Sequence, residues 1–157
     1  MVGMMVDEER PDFSTQLHEI FPKYQRGDAQ ANITIADLLG HRTGIAPYDG
    51  LWLSSDNQIV MERSQAIPTF NYAPVVSPLR AKFGYNHIAY EIVGQVSEKT
   101  SGSTYLDLLR ERIINPLRLN RTFYADQSFD DNTAKAYAAL SNGSTYELPP
   151  GVMARIS

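Results

Sequence analysis

Cysteine is absent from the chain, which removes thiolate nucleophiles, thiolate zinc sites and disulfide frameworks together. The three histidines, His18, His41 and His87, stand far apart without the spacing of metal ligands and read as surface or supporting residues. No serine occupies the G-x-S-x-G spacing of a nucleophile elbow. What remains is Tyr85-Asn86-His87, a phenol, a carboxamide and an imidazole in a row where a loop meets a helix. A phenol ordinarily ionises at about 10, so Tyr85 can accept a proton at neutral pH only beside cations that stabilise its phenolate. An amide donates and accepts, and neutral imidazole can do one of each, whereas imidazolium only donates. A tyrosine at the start of a helix would equally well serve packing.

The elements around this run are mainly helical. Ile88, Ile92, Val93 and Val96 fall on one face of a helix predicted over 86–100, with Ser101-Gly102 as its stop. Thr104, with Asp107 three residues on, caps a second helix over 104–114, striped by Leu106, Leu109 and Ile113 and followed by Pro116. Thr34 and Asp37 form a similar pair heading a helix over 34–41, whose buried face is Leu38 and Leu39 and which Gly44 allows to turn away. Met1–Val6 reads as the last turns of a helix, 12–16 as polar linker, and Leu17, Ile20, Phe21 and Pro22 as a short apolar patch. Between Ile45 and Arg80, prolines and aromatic residues predict loop with one short helix near 54–63. Asn142-Gly143 between two strand-like runs predicts a β-hairpin over 136–148. The expected class is mainly α with a small β-hairpin.

A length of 157 residues suits one domain, and 43% apolar with 20% charged residues is ordinary for a globular chain. A net charge of -4 lacks the clustered Lys and Arg of a nucleic-acid partner. No run nears the roughly 20 apolar residues of a membrane span. The opening apolar run meets Asp7-Glu8-Glu9-Arg10 too soon for a signal peptide, so a cytoplasmic protein is expected and the sequons at Asn32, Asn120 and Asn142 read as chance.

Three stretches, taken in order, resemble the serine β-lactamase and penicillin-binding-protein superfamily, on the branch of class C enzymes, esterases and fungal transacylases. Ile33–Ile45 (ITIADLLGHRTGI) is similar to that family's TI-x-x-LL-x-H-x-[ST]-GL helix and turn. Phe83–Gly94 (FGYNHIAYEIVG) resembles its F-x-Y-[SN]-N-x-x-Y-x-LLG segment, and Leu109–Thr122 (LRERIINPLRLNRT) its ERI-x-x-PLG-M-x-x-T segment. The resemblance implies that a serine in an S-x-x-K motif attacks an acyl carbonyl, that tyrosine and lysine share its proton, and that an acyl-serine forms. It makes Tyr85 the general base and Asn86 and His87 substrate-binding residues, with His87 where the family usually has asparagine. It implies a small-molecule acyl substrate; with the composition and spacing above, no cofactor or metal and no nucleic-acid or membrane partner is expected.

The family's α/β domain is built from both chain ends and its middle is mostly helical, so these residues correspond to the helical subdomain without most of the sheet. The lysines are Lys23, Lys82, Lys99 and Lys135, and the residues three before them, Ile20, Leu79, Val96 and Asn132, include no serine. The family would place S-x-x-K upstream of Met1, and its K-T-G or H-T-G strand is also absent; Lys99–Gly102 and His41–Gly44 read as helix ends. The expectation is a relative of acyl-serine hydrolases and transacylases acting on ester, amide or β-lactam bonds, with secondary metabolism as one setting, inactive at this extent. The alternatives are a non-catalytic binding remnant and a gene-model fragment of an active enzyme.

Overall fold

Residues 1–48, 61–122, 134–135 and 137–147 are described by a computed structural model of the chain. They belong to two units, one of residues 1–49 and 61–120 and the other of 50–60 and 121–157. The first is helical: α1 (Val2–Asp7), α2 (Leu17–Ile20), α3 (Ile35–Leu39), α4 (Ala66–Tyr72), α5 (His87–Ser101) and α6 (Tyr105–Leu109). The second contributes the strands β1 (Tyr137–Ala139) and β2 (Thr145–Glu147).

The first unit is assembled around α5, against which α1, α2, α3, α4 and α6 all pack. Ile88, Ile92 and Val96 recur at the four-residue spacing of one helical face and are wholly buried, as are Leu17, Ile33, Ile35, Leu38 and Phe70. Removing such side chains from water stabilises the fold by about 1.5–3 kcal/mol each before entropy is counted. The predicted range is matched to within one residue at each end. Asn86 caps the start, its side chain accepting from the Ala89 amide. Gly102, left-handed at φ 75°, closes the end by donating to the Glu98 carbonyl. Lys99-Thr100-Ser101 is therefore the last turn of α5.

The helix caps lie where the sequence places them. Thr34 and Asp37 bond reciprocally at the head of α3, and Thr104 accepts from the Asp107 amide at the head of α6. The continuous helix expected to residue 114 instead widens after Leu109 into a π-turn, in which the Asn115 amide reaches the Arg110 carbonyl at 2.9 Å. Leu108, rather than the expected stripe, is the residue this element buries fully.

Two further expectations need correction. Of the helix expected over 54–63, residues 54–60 lie outside the described residues, and a 3₁₀ turn (Arg63–Gln65) leads directly into α4. Pro68 stands in the first turn of α4, where its missing N–H has no partner to lose, so it does not break the helix whose Ala66, Ile67 and Phe70 are buried. Secondly, α3 ends at Leu39, and Gly44 does not end it. Gly44, at φ 71°, belongs to the next turn, where a Cβ would collide with the Ser77 carbonyl oxygen. That close approach lets the Val76 amide donate to the Gly44 carbonyl and Ile45 bridge to Val75.

In the second unit, β1 and β2 pair antiparallel with Ala138 opposite Tyr146, and Gly143 takes a left-handed φ of 83° in the turn. The outermost residues of the expected hairpin, 136 and 148, lie outside the described residues. Among the described residues no helix is long and apolar enough to cross a membrane.

Candidate active site

The site is built where the chain leaves α3 and where it enters α5. Arg80 fastens the intervening segment to α3: its Nε and Nη2 donate to the two Asp37 carboxylate oxygens, each at 2.8 Å. Asp37 is almost enclosed and Arg80 half exposed. Burial pushes the Asp37 carboxyl up, but the Arg80 guanidinium, with the Thr34 amide and hydroxyl, more than offsets this and holds it below its usual 3.8.

Beyond Arg80 the chain runs past His41. The Gly84 amide donates to the His41 carbonyl at 2.8 Å, and the Asn86 amide donates to His41 Nδ1 at 3.2 Å. Tyr85 is thereby held on both sides by one residue. Its ring lies 4.5 Å from the His41 ring between centroids and is 53% exposed. Tyr90 stacks on His41 at 4.8 Å and 20°, with its hydroxyl donating to the Leu39 carbonyl at 3.3 Å. Phe83 meets His41 edge-on at 5.5 Å, and His87 meets Tyr85 edge-on at 4.8 Å.

Because His41 Nδ1 accepts a backbone N–H, the ring there is neutral and its proton is assigned to Nε2. Burial first, and the neighbouring His87 second, hold its pKa below the ordinary 6.5, which agrees with that state.

The three residues singled out from the sequence divide between two environments. Tyr85 and His87 are exposed and adjacent, a phenol beside an imidazole on one open face. Asn86, expected among the substrate-binding residues, is fully buried. Its Nδ2 donates to the Ile45 and Ala46 carbonyls at 3.3 Å each, and its Oδ1 accepts from the Ala89 amide at 3.2 Å. Adjacent side chains at a loop–helix junction point in opposite senses, and here the central one points inward. The sequence placed no weight on His41 as part of the site. It lies 45 residues from Asn86, and nothing in local spacing joins the two.

Ser101 and Ser103 lie at the far end of α5, about 20 Å from Tyr85 by helical rise. Ser101 Oγ accepts from the Ser103 amide at 3.1 Å in that turn. Among the described residues no three His, Asp or Glu side chains converge as a metal ion requires. The arrangement can present a solvent-accessible phenol, with the neutral His41 ring behind it and the His87 side chain beside it, for proton transfer or hydrogen bonding to a ligand.

The chain is similar to the teichoic acid D-alanine hydrolase of Staphylococcus aureus, at 29% identity over 118 residues, covering 74% of this chain and 28% of that protein. Its fold is like that of the octameric penicillin-binding protein homologue from Pyrococcus abyssi, with a TM-score of 0.76 at 19% identity, over 98% of this chain and 40% of that one. It is also like that of a D-stereospecific amidohydrolase from a Streptomyces species, with a TM-score of 0.74 at 20% identity, over 93% of this chain and 47% of that one. The chain thus spans between about a quarter and a half of the length of these proteins. The described helices and hairpin match a part of the β-lactamase-like fold. The sequence model of the Beta-lactamase family matches residues 1–156, and the chain belongs to that family.

Proposed function

We propose that this chain is the tyrosine-bearing helical part of an acyl-serine hydrolase or transacylase site for small ester, amide or β-lactam substrates, and that its 157 residues alone form no acyl-serine. The observation that carries the proposal is the presentation of Tyr85, an exposed phenol held from both sides at the mouth of α5; the resemblance of Phe83–Gly94 to the family's tyrosine segment supports reading it as the motif tyrosine. Family membership supports acyl transfer as the chemistry, and the name of the staphylococcal relative supports an acyl group such as a D-alanyl ester as the substrate class.

In this site Tyr85 takes the proton from an attacking hydroxyl. His87 faces the substrate beside it, and Asn86 acts behind it by fixing the backbone. These residues supply neither the nucleophile nor the lysine beside it, because no Ser-x-x-Lys occurs among them. The test is to replace by Phe the tyrosine matching Tyr85 in a serine-bearing member of the family. A positioned base contributes roughly 10²–10⁴-fold, so acylation falls by that factor while folding is retained. Undiminished acylation would leave this tyrosine a packing residue. A second reading, a non-catalytic binding module, is favoured by the exposed rings of Phe83, Tyr85 and Tyr90 around His41. Saturable binding of an acyl ester to a serine-bearing form that is never acylated would select it.

A further inference from the structure

We infer that His41 is the positioning residue for Tyr85, and that it acts as a hydrogen-bond acceptor, so that the tyrosine is held only while the ring of His41 is neutral. The inference rests on the reading of Tyr85 as the working phenol. His41 is the residue that grips the chain on both sides of Tyr85, through its carbonyl to Gly84 and its Nδ1 to Asn86. Its backbone is left-handed, at φ 52°, a conformation that residues with a Cβ rarely adopt. That turn brings carbonyl and ring alike to face the 84–86 segment.

The ring is itself fixed. It is 7% exposed, stacked by Tyr90 on α5, edged by Phe83, and in contact with Tyr85. The titratable groups facing it are Tyr85 from the preceding loop and His87 and Tyr90 from α5. Arg42, next in the chain, donates through Nη2 to the Arg80 carbonyl at 2.6 Å. When Nδ1 gains a proton, two donors meet, the Asn86 amide loses its acceptor, and the hold on the C-terminal side of Tyr85 is gone. The neighbouring caps do not replace it, because the Asn86 side chain is already engaged by Ala89, Ile45 and Ala46.

The experiment is a heteronuclear NMR titration of the isotope-labelled 157-residue chain from about pH 8 to about pH 5, across the range in which histidine titrates. The expected result has three parts. His41 Nδ1 shows the unprotonated acceptor at the alkaline end, and its midpoint lies below 6.5. The Asn86 amide and the Tyr85 ring resonances move with that midpoint. In His41→Asn, whose carboxamide oxygen still accepts but does not titrate, the acid step of the Asn86 amide disappears while its slow alkaline exchange is kept. In His41→Phe, which keeps a ring and loses the acceptor, Asn86 amide exchange quickens by about fivefold to tenfold.

The inference is overturned if Asn86 and Tyr85 ignore the His41 titration in the unmodified chain, or if the Asn86 amide keeps its acid step in His41→Asn. These two measurements decide the matter even where His41→Phe does not fold. They report geometry and not turnover, so loss of the catalytic reading of Tyr85 would come from the Phe substitution in a serine-bearing enzyme and would leave this titration unchanged.

Discussion

Asn86→Ala should be among the most damaging single substitutions in the site, and its cost can be worked from the structure. The side chain makes three hydrogen bonds inside a fully buried pocket. Loss of the helix cap at Ala89 costs about 1 kcal/mol. The Ile45 and Ala46 carbonyls each lose a donor; at 3.3 Å these bonds are long, so about 1 kcal/mol each is appropriate, nearer the low end for unsatisfied groups. The sum is on the order of 3 kcal/mol, which for a chain of this size lowers Tm by roughly 6–12 °C. Urea unfolding followed by far-ultraviolet circular dichroism, with a thermal melt beside it, measures both. Asn86→Asp is the informative companion. It keeps the cap but sets a negative oxygen against two carbonyls, so it should fall at least as far at neutral pH and recover partly in acid as the carboxyl regains a donor. A loss below about 0.5 kcal/mol for Asn86→Ala would refute the positioning role and return the amide to the substrate.

Asp37→Asn should cost about 1–3 kcal/mol at neutral pH, by equilibrium unfolding, because it weakens a paired hydrogen bond to Arg80. The folded pKa of Asp37 lies below its unfolded value, so its contribution is complete above 3.8 and is lost as pH falls through the folded value; the substitution should flatten that acid limb. For His41 the folded pKa is also depressed, but the group is a base. Its contribution is complete above 6.5 and declines as pH falls from there towards the folded value. Gly44→Ala should destabilise by more than about 2 kcal/mol in the same assay, since it meets both a φ of 71° and the Ser77 carbonyl.

What the sequence revealed was what is local in the chain. The stripe of Ile88, Ile92 and Val96, the reciprocal pairs Thr34–Asp37 and Thr104–Asp107, and the Asn142-Gly143 turn each contain their own reason within a few residues. What it concealed depends on distant partners or on orientation. Pro68 marks α4 as a break until its place in the first turn is known. The end of α3 is closed by a left-handed His41, whose amide donates to the Leu38 carbonyl while the Arg42 amide reaches the Asp37 carbonyl, a place where sequence reading expects glycine. The π-turn after Leu109 interrupts a helix whose caps and periodicity give no sign of it. At the site, the three-residue run Tyr85-Asn86-His87 was plain, but its inside and outside were not. The extended Asn86 backbone, at φ -150° and ψ 111°, turns that amide inward, and a motif of letters has no direction.

In the proposed function the chain presents the tyrosine of an acyl-serine site without the serine that is acylated. Intact-mass spectrometry of the 157-residue chain after incubation with a fluorophosphonate probe, and separately with a reactive β-lactam, addresses it directly. Unmodified mass is expected in both, since covalent catalysis needs a nucleophile within hydrogen-bond reach of its base and no serine here has a lysine three residues on. A stoichiometric adduct mapped to a single serine would contradict it.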